Sequence, residues 1–320
     1  MLLWFVWYNV VTTAKSPKRK EKMKMSYILT TDNLTKKYGE KTAAGNINIH
    51  INEGEIYGLI GRNGAGKTTI MRMISGLSAP TSGSYRFHGD DSSGIGVLIE
   101  SPGIYANRTA FDNIKIKCIA MGCYSKEYIN DLLRIVGLED TGKKHAGSFS
   151  LGMRQRLGIA LALTGDPKLI VLDEPINGLA PQGIAEVRET LERLRDEKGI
   201  TIMISSHILD ELGKVADSYG IINNGELIEE FTNEELMSRC GQYVTVQTDN
   251  NAKAAEVIKS MGIQNVKINE NNIRVDECLD RTAEINKTLV TAGFAVNEIH
   301  TTNISLEDYY LSLTGGKQND

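Results

Sequence analysis

The sequence predicts an α/β chain: a mostly parallel sheet with an inserted helical subdomain, followed by a small α+β unit of ferredoxin-like order. Three observations point there. Strand-like apolar runs alternate with helical spacing from residue 27 to about residue 210. Residues 108–165 show three- and four-residue apolar spacing with no strand between. Beyond residue 239 the order becomes strand, helix, strand, strand, helix, strand. A chain of 320 residues is long enough for roughly two domains. The expected division is 1–24 as a non-native or disordered extension, 25–238 as the main domain with its helical subdomain at about 108–165, and 239–320 as a C-terminal accessory domain.

Each element has its own warrant. NINIHIN (46–52) alternates apolar and polar residues, as a half-buried strand does. EIYGLIG (55–61) is continuously apolar, fitting a buried central strand that feeds a loop. A helix follows from Lys67 to about Gly76, then short strands in GSYRFHG (83–89) and IGVLIE (95–100). FDNIKIKCIAMG, KEYINDLLRIVG and LGMRQRLGIALAL supply the helical block. LIVLDEP (169–175) reads as a buried strand, 181–198 as a helix and TIMISSH (201–207) as another strand. In the last third, YVTVQT, NVKIN, NIRVDE and AVNEIH are strands, AKAAEVIKSMG and RTAEINKTLVTAG are helices, and SLEDYYLSLTG is a final helical run.

Composition narrows the classes. Hydrophobic content of 41% and charged content of 24% are ordinary for a globular chain. A net charge of −4 gives no basic footprint, so nucleic acid is not an expected partner. Cys118, Cys123, Cys240 and Cys278 form no Cys-x-x-Cys pair and no metal-ligand spacing, and read as reduced thiols. The opening MLLWFVWYNVV is too short to span a bilayer, and its positive charges follow the apolar run, the wrong order for a secretory signal. KRKEK (18–22) uses amino acids whose codons can be all purine, as a translated ribosome-binding site just before Met25 would look. Met25 or Met23 is therefore the expected start; a short interfacial anchor with a basic flank is the alternative.

Two stretches carry the chemistry. GRNGAGKT (61–68) fits G-x-x-x-x-G-K-[ST] between a strand and a helix. Gly61, Gly64 and Gly66 let the backbone approach an anion, and the exposed amides around Asn63, Ala65 and Thr69 cradle phosphate oxygens with help from the helix dipole. Lys67 would reach the β- and γ-phosphates and Thr68 would place its hydroxyl on Mg²⁺. In LIVLDEP four apolar residues lead to Asp173 and Glu174 at the carboxyl end of the strand, where open α/β sheets bind ligands. Asp173 would hold Mg²⁺, and Glu174 would act as the general base on the attacking water. The plain alternatives are a glycine-rich turn and an acidic turn capping the next helix.

FSLGMRQRLGIALAL, about 85 residues after the glycine loop and just before LIVLDEP, resembles the signature motif of ATP-binding-cassette (ABC) ATPases; Phe149-Ser150-Leu151-Gly152-Met153 stands where that family usually has L-S-G-G-Q. The resemblance covers about residues 27–235, with the motifs in the family's order. It implies that Ser150, Gly152 and Met153 act in trans on the ATP held by a second copy; Ser150 is equally an ordinary helix N-cap, and both can hold at once. It places Tyr38 on the adenine, His207 at the γ-phosphate, and Glu100 where the family has a glutamine that senses Mg²⁺ and the attacking water. A glutamate there keeps an oxygen ligand and adds charge. In NGLAP (177–181) Ala180 replaces the usual aspartate, which puts in doubt how two copies communicate.

IESPGIY, FSLGMRQRLGIA, LDEPINGL and SLEDYYLSLTG resemble in particular the ATP-binding subunits of bacterial bacitracin-resistance and lantibiotic-immunity exporters. The resemblance implies a head-to-tail dimer with two MgATP, working under a separate transmembrane permease at the cytoplasmic face of the bacterial plasma membrane. No apolar run reaches 18 residues, so the chain does not supply the transmembrane path. A GTPase would need an Asn-Lys-x-Asp motif, and none is present. A non-transport or regulatory ABC ATPase with little turnover is the remaining alternative, kept open by Glu100 and Ala180. Mass spectrometry of the intact natural protein should show a chain beginning at Met25 or Met23; a retained Met1 contradicts that start.

Overall fold

The structure is a computed structural model that describes residues 27–88, 94–239, 242–269, 271–277, 279–303 and 306–315. The extension 1–24, the expected starts, Cys240 and Cys278 lie outside the described residues, as do two residues at the expected domain boundary. In chain order the strands are β1 (Tyr27–Tyr38), β2 (Lys41–Ile47), β3 (His50–Asn52), β4 (Ile56–Ile60), β5 (Ser82–Phe87), β6 (Ile95–Leu98), β7 (Leu169–Asp173), β8 (Thr201–Ser206), β9 (Ser218–Asn223), β10 (Glu226–Thr232), β11 (Gln242–Thr248), β12 (Val266–Ile268), β13 (Ile273–Val275) and β14 (Val296–Asn303). The helices are α1 (Lys67–Ile74), α2 (Ala110–Met121), α3 (Lys126–Ile135), α4 (Leu151–Leu163), α5 (Pro181–Lys198), α6 (Leu209–Leu212), α7 (Asn233–Arg239), α8 (Asn251–Ser260), α9 (Thr282–Thr291) and α10 (Leu306–Thr314).

The central sheet runs β10-β9-β4-β8-β7-β6. All its pairs are parallel except β10 on β9. Every residue of β4, β7 and β8 is buried, which is why these strands read as unbroken apolar runs. Their side chains alternate between two cores. Ile56, Ile60, Ile170, Leu172, Ile202 and Ile204 face the helical side, packing with α4, α5 and the α2–α3 block. Tyr57, Leu59, Leu169, Val171 and Met203 face α1 and a second, antiparallel sheet. The sheet is thus buried on both faces, but only one cover is wholly helical.

That second sheet, β2-β1-β3 with β5 also on β1, corrects the expectation of one strand over 46–52. The alternation of NINIHIN spans two strands, β2 ending at Ile47 and β3 starting at His50, both antiparallel to β1. Asn46 takes a left-handed φ of 53°, and Asn48 Oδ1 accepts the Asn33 amide at 2.8 Å. The bend lets β1 pair first with one strand and then with the other while Ile47, Ile49 and Ile51 stay inside.

The helical block holds α2 and α3, with α4 leading back to β7. Thr109 and Ser125 cap α2 and α3 by accepting the amides of Asp112 and Tyr128. Cys118 is buried there, and desolvation pushes its thiol up to about 11, so it stays protonated at neutral pH. In the last third, an antiparallel sheet β12-β13-β11-β14 carries α8 and α9 on one face, around Val244, Val246, Ile258, Ile273, Ile285 and Leu289. Helix α10 leaves that unit and packs into the helical-side core through Leu306 and Tyr310.

The antiparallel sheet leaves no room at Gly83, where β5 starts. Its φ is +77°, and a Cβ there would lie 2.2 Å from the Asn33 carbonyl oxygen. Gly83→Ala should therefore cost about 2 kcal/mol or more in a denaturant titration; an unchanged midpoint would contradict this account of the β1–β5 pairing.

Candidate nucleotide site

The site is built where β4, β8 and β7 end side by side. Beyond β4 the chain turns through Gly61–Gly66 into α1. Gly66 caps the helix at φ 111°, and a Cβ on it would meet the Ala43 carbonyl oxygen at 2.5 Å. The loop therefore lies against β2, and it keeps Gly64 at a left-handed φ of 83°. Asn63 and Gly64 are exposed, Ala65 is buried and Thr69 is half-buried on the first turn of α1. Lys67 is only 5% exposed. Its Nζ donates to the Gly61 carbonyl at 2.6 Å and the Arg62 carbonyl at 3.3 Å, inside the curl of the loop.

One carboxylate faces this ammonium and a second lies next to it in sequence. Glu174 Oε1 lies 3.1 Å from Lys67 Nζ. Glu174 Oε2 lies 2.7 Å from His207 Nδ1. Next to them, Thr68 Oγ1 donates to Asp173 Oδ2 at 2.6 Å. Glu174 sits at φ 50°, a conformation that costs a non-glycine residue energy and that turns its carboxylate off the strand line. The structure thus brings together Lys67, Thr68, Asp173, Glu174 and His207, which are far apart in sequence.

Glu100 stands beside this cluster, past the end of β6, at φ 63°. Its carboxylate is ion-paired with Arg72. Arg72 lies four residues beyond Thr68, on the same side of α1. Tyr38 is 52% exposed at the β1–β2 hairpin, with Lys36 Nζ 5.2 Å from its ring centroid. The hairpin flanks the loop, since Ala43 of β2 abuts Gly66. Ser150 N-caps α4 and accepts the Met153 amide at 3.2 Å. Ser150 is exposed, Met153 half-buried and Gly152 buried against α5, where a Cβ would sit 3.6 Å from Gly183 Cα. The first-turn amides of Leu151 and Gly152 have no carbonyl to bond within their own helix. Ala180 opens α5 without a side-chain cap.

Two residues escaped the sequence reading. Ser205, fully buried at the end of β8, donates from Oγ to Asp173 Oδ1 at 2.6 Å and accepts the Glu174 amide at 2.9 Å. It ties both acidic residues to one hydroxyl. The signal available was a polar pair, Ser205-Ser206, closing a buried strand. Arg72 is the second, visible only through its helical spacing from Thr68.

As chemistry, a buried cation in a glycine loop binds polyphosphate, and a hydroxyl beside a carboxylate offers the hard oxygen donors that Mg²⁺ takes. Fold and site together define a P-loop nucleoside triphosphatase. Residues 44–177 match the ABC transporter family. The chain is 40% identical over 303 residues to the bacitracin transport ATP-binding protein BcrA of Enterococcus faecalis, covering 92% of this chain and 98% of that one. It is 48% identical over 208 residues to the lantibiotic transport ATP-binding protein SrtF of Streptococcus pyogenes, covering 63% and 90%. Among solved structures, cbiO1 from Clostridium perfringens, part of the ABC transporter complex cbiONQ, aligns with a TM-score of 0.60 at 27% identity over 66% of this chain and 91% of that one. The chain belongs to the ABC transporter family, as an ATP-binding subunit that hydrolyses ATP to drive a separate permease.

Ser205→Ala would leave one Asp173 oxygen and the Glu174 amide without their shared partner, a loss of about 1–3 kcal/mol of local stability. The expected result is a several-fold rise in the Mg²⁺ concentration needed for half-maximal turnover, measured against a melting curve; an unchanged Mg²⁺ requirement would contradict the positioning role.

Proposed function

We propose that this chain powers export of bacitracin-like antimicrobial peptides or lipids, acting as a head-to-tail pair at the cytoplasmic face of a bacterial plasma membrane. The observation that carries the hydrolytic reading is the contact chain from buried Lys67 through half-buried Glu174 to exposed His207, beside Thr68–Asp173. Similarity to the bacitracin relative runs through the C-terminal third, whereas the lantibiotic relative matches 63% of this chain. That difference favours the bacitracin class of cargo.

Each residue has a part. Lys67 and the loop amides bind the β- and γ-phosphates, and Tyr38 offers its ring to the base. Bound phosphate competes with Glu174 for the Lys67 ammonium. Released from it, the Glu174 carboxylate can orient and deprotonate water while His207 remains on its other oxygen. Thr68 and Asp173 would supply oxygen donors to Mg²⁺, with Glu100 as a further candidate, and the ion would neutralise phosphate charge. Ser150, Gly152 and Met153 present the open end of α4 to the nucleotide of the second copy, where amides and helix dipole favour an anion.

The permease has a place to dock. A groove of about 350 Å³ lies between the end of β6 and helices α2 and α4, lined by Val97, Pro102, Tyr105, Ile116 and Lys117 among others. Tyr105 and Ile116 are exposed, and Ile119 continues the apolar face. Its wall includes Pro102 and Gly103, two and three residues beyond Glu100 and so joined by the chain to the site. Among the described residues no helix is long and apolar enough to cross a membrane.

Glu174→Gln keeps the shape of the site and removes the base. It should bind ATP, hydrolyse it about a hundredfold or more slowly, and accumulate as an ATP-bound dimer by light scattering. Turnover at the unaltered rate would remove Glu174 from the base role.

A further inference from the structure

The last helix does not belong to the core of the sheet it follows. Leu306 and Tyr310 of α10, each 5% exposed, are buried in the same cluster as Leu209 and Leu212 of α6. Tyr309 meets Phe231 of β10 edge-on at 5.2 Å and donates its hydroxyl to Glu229 at 2.9 Å. Phe231 in turn packs 5.3 Å from Tyr219 of β9. Helix α10 is thus anchored on the edge of the central sheet and lies against α6.

Helix α6 has four residues and starts two positions after His207. A single helical turn has no stability of its own, so its place is set by what it packs on. Three things fix it. Leu209 and Leu212 point into the core. Glu211 pairs with Arg188 of α5 at 3.3 Å. Helix α10 supplies the remaining cover. The link back to the histidine is short: the Leu212 amide bonds the Ile208 carbonyl, and the Ile208 amide bonds Ser206 Oγ at 2.9 Å. His207 is held between those two residues, with Nδ1 against Glu174.

We infer that α10 is a positioning element for His207: Leu306 and Tyr310 hold α6, and α6 holds the turn that presents the imidazole to Glu174. This rests on the reading of His207 as acting in hydrolysis. It gives the C-terminal third a physical line to the site, because only two residues of sequence separate the end of β14 from the start of α10.

The test uses the full-length chain. Tyr310→Ala and Leu306→Ala should lower kcat about tenfold while the dissociation constant for ATP stays within about twofold, because the phosphate loop is untouched. In a His207→Ala background the same changes should lower kcat no further, since the residue they position is gone. Tyr310→Phe should turn over like the parent: the Tyr310 hydroxyl has no hydrogen-bond partner among the described residues, so the ring alone carries the contact. Unchanged kcat in both alanine variants, a parallel loss of ATP affinity, or full additivity with His207→Ala would each overturn the inference. Should a melting curve show either alanine variant unfolded, Leu306→Val decides on the same readouts. His207→Ala with undiminished turnover would instead overturn the underlying role of the histidine.

Discussion

The structure depends on a buried ammonium. Lys67 sits almost out of solvent, and a charge there is tolerable only when paired and hydrogen-bonded. Two loop carbonyls and the Glu174 carboxylate satisfy it. That requirement fixes the glycine loop, which must curl until its carbonyls reach the ammonium. It also fixes the end of β7, two strands away in the sheet, which must deliver a carboxylate within 3.1 Å. The parallel order β4-β8-β7 meets both demands, because it sets three strand ends in register with Ser205 between the two halves. The left-handed backbone at Glu174 is the local strain accepted in return.

The same pairing organises the rest of the cluster. Lys67, Glu174 and His207 form a chain of contacts, and Thr68 and Asp173 close on each other. In the proposed mechanism a polyphosphate would replace these protein partners with its own oxygens, so that its binding would also release the proposed base. Glu100 belongs to this logic. Its added charge, relative to a glutamine, is matched by Arg72 of α1, and the residues that follow it, Pro102 and Gly103, line the groove.

Much of this was legible because it is local. The glycine loop, the apolar strand with Asp173 and Glu174, and the N-capped start of α4 are contiguous stretches whose residue types fix their shape. The buried strands announced themselves by unbroken apolar runs. The antiparallel sheet did not, because β1 is largely polar in sequence and its partners are chosen by distant contacts: Thr31 Oγ1 with the backbone of Ile47 and Ile49, and Thr81 with β1. The break at Asn48 was hidden because the alternation runs on across it. Ser205 and Arg72 act through bonds to residues 32 and 28 positions away, which no periodicity reveals. Helix α10 showed as a helix, but its docking on α6 rather than on its own sheet is a matter of tertiary packing.

The central claim is that one subunit's nucleotide is completed by the Ser150 end of α4 from another. A structure determined with non-hydrolysed ATP trapped in the assembled pair measures this directly. The account predicts the Ser150 hydroxyl and the first-turn amides of α4 within hydrogen-bond distance, roughly 3 Å, of the terminal phosphate bound by the opposite Lys67. A trapped complex in which that helix start faces away from both terminal phosphates would contradict it.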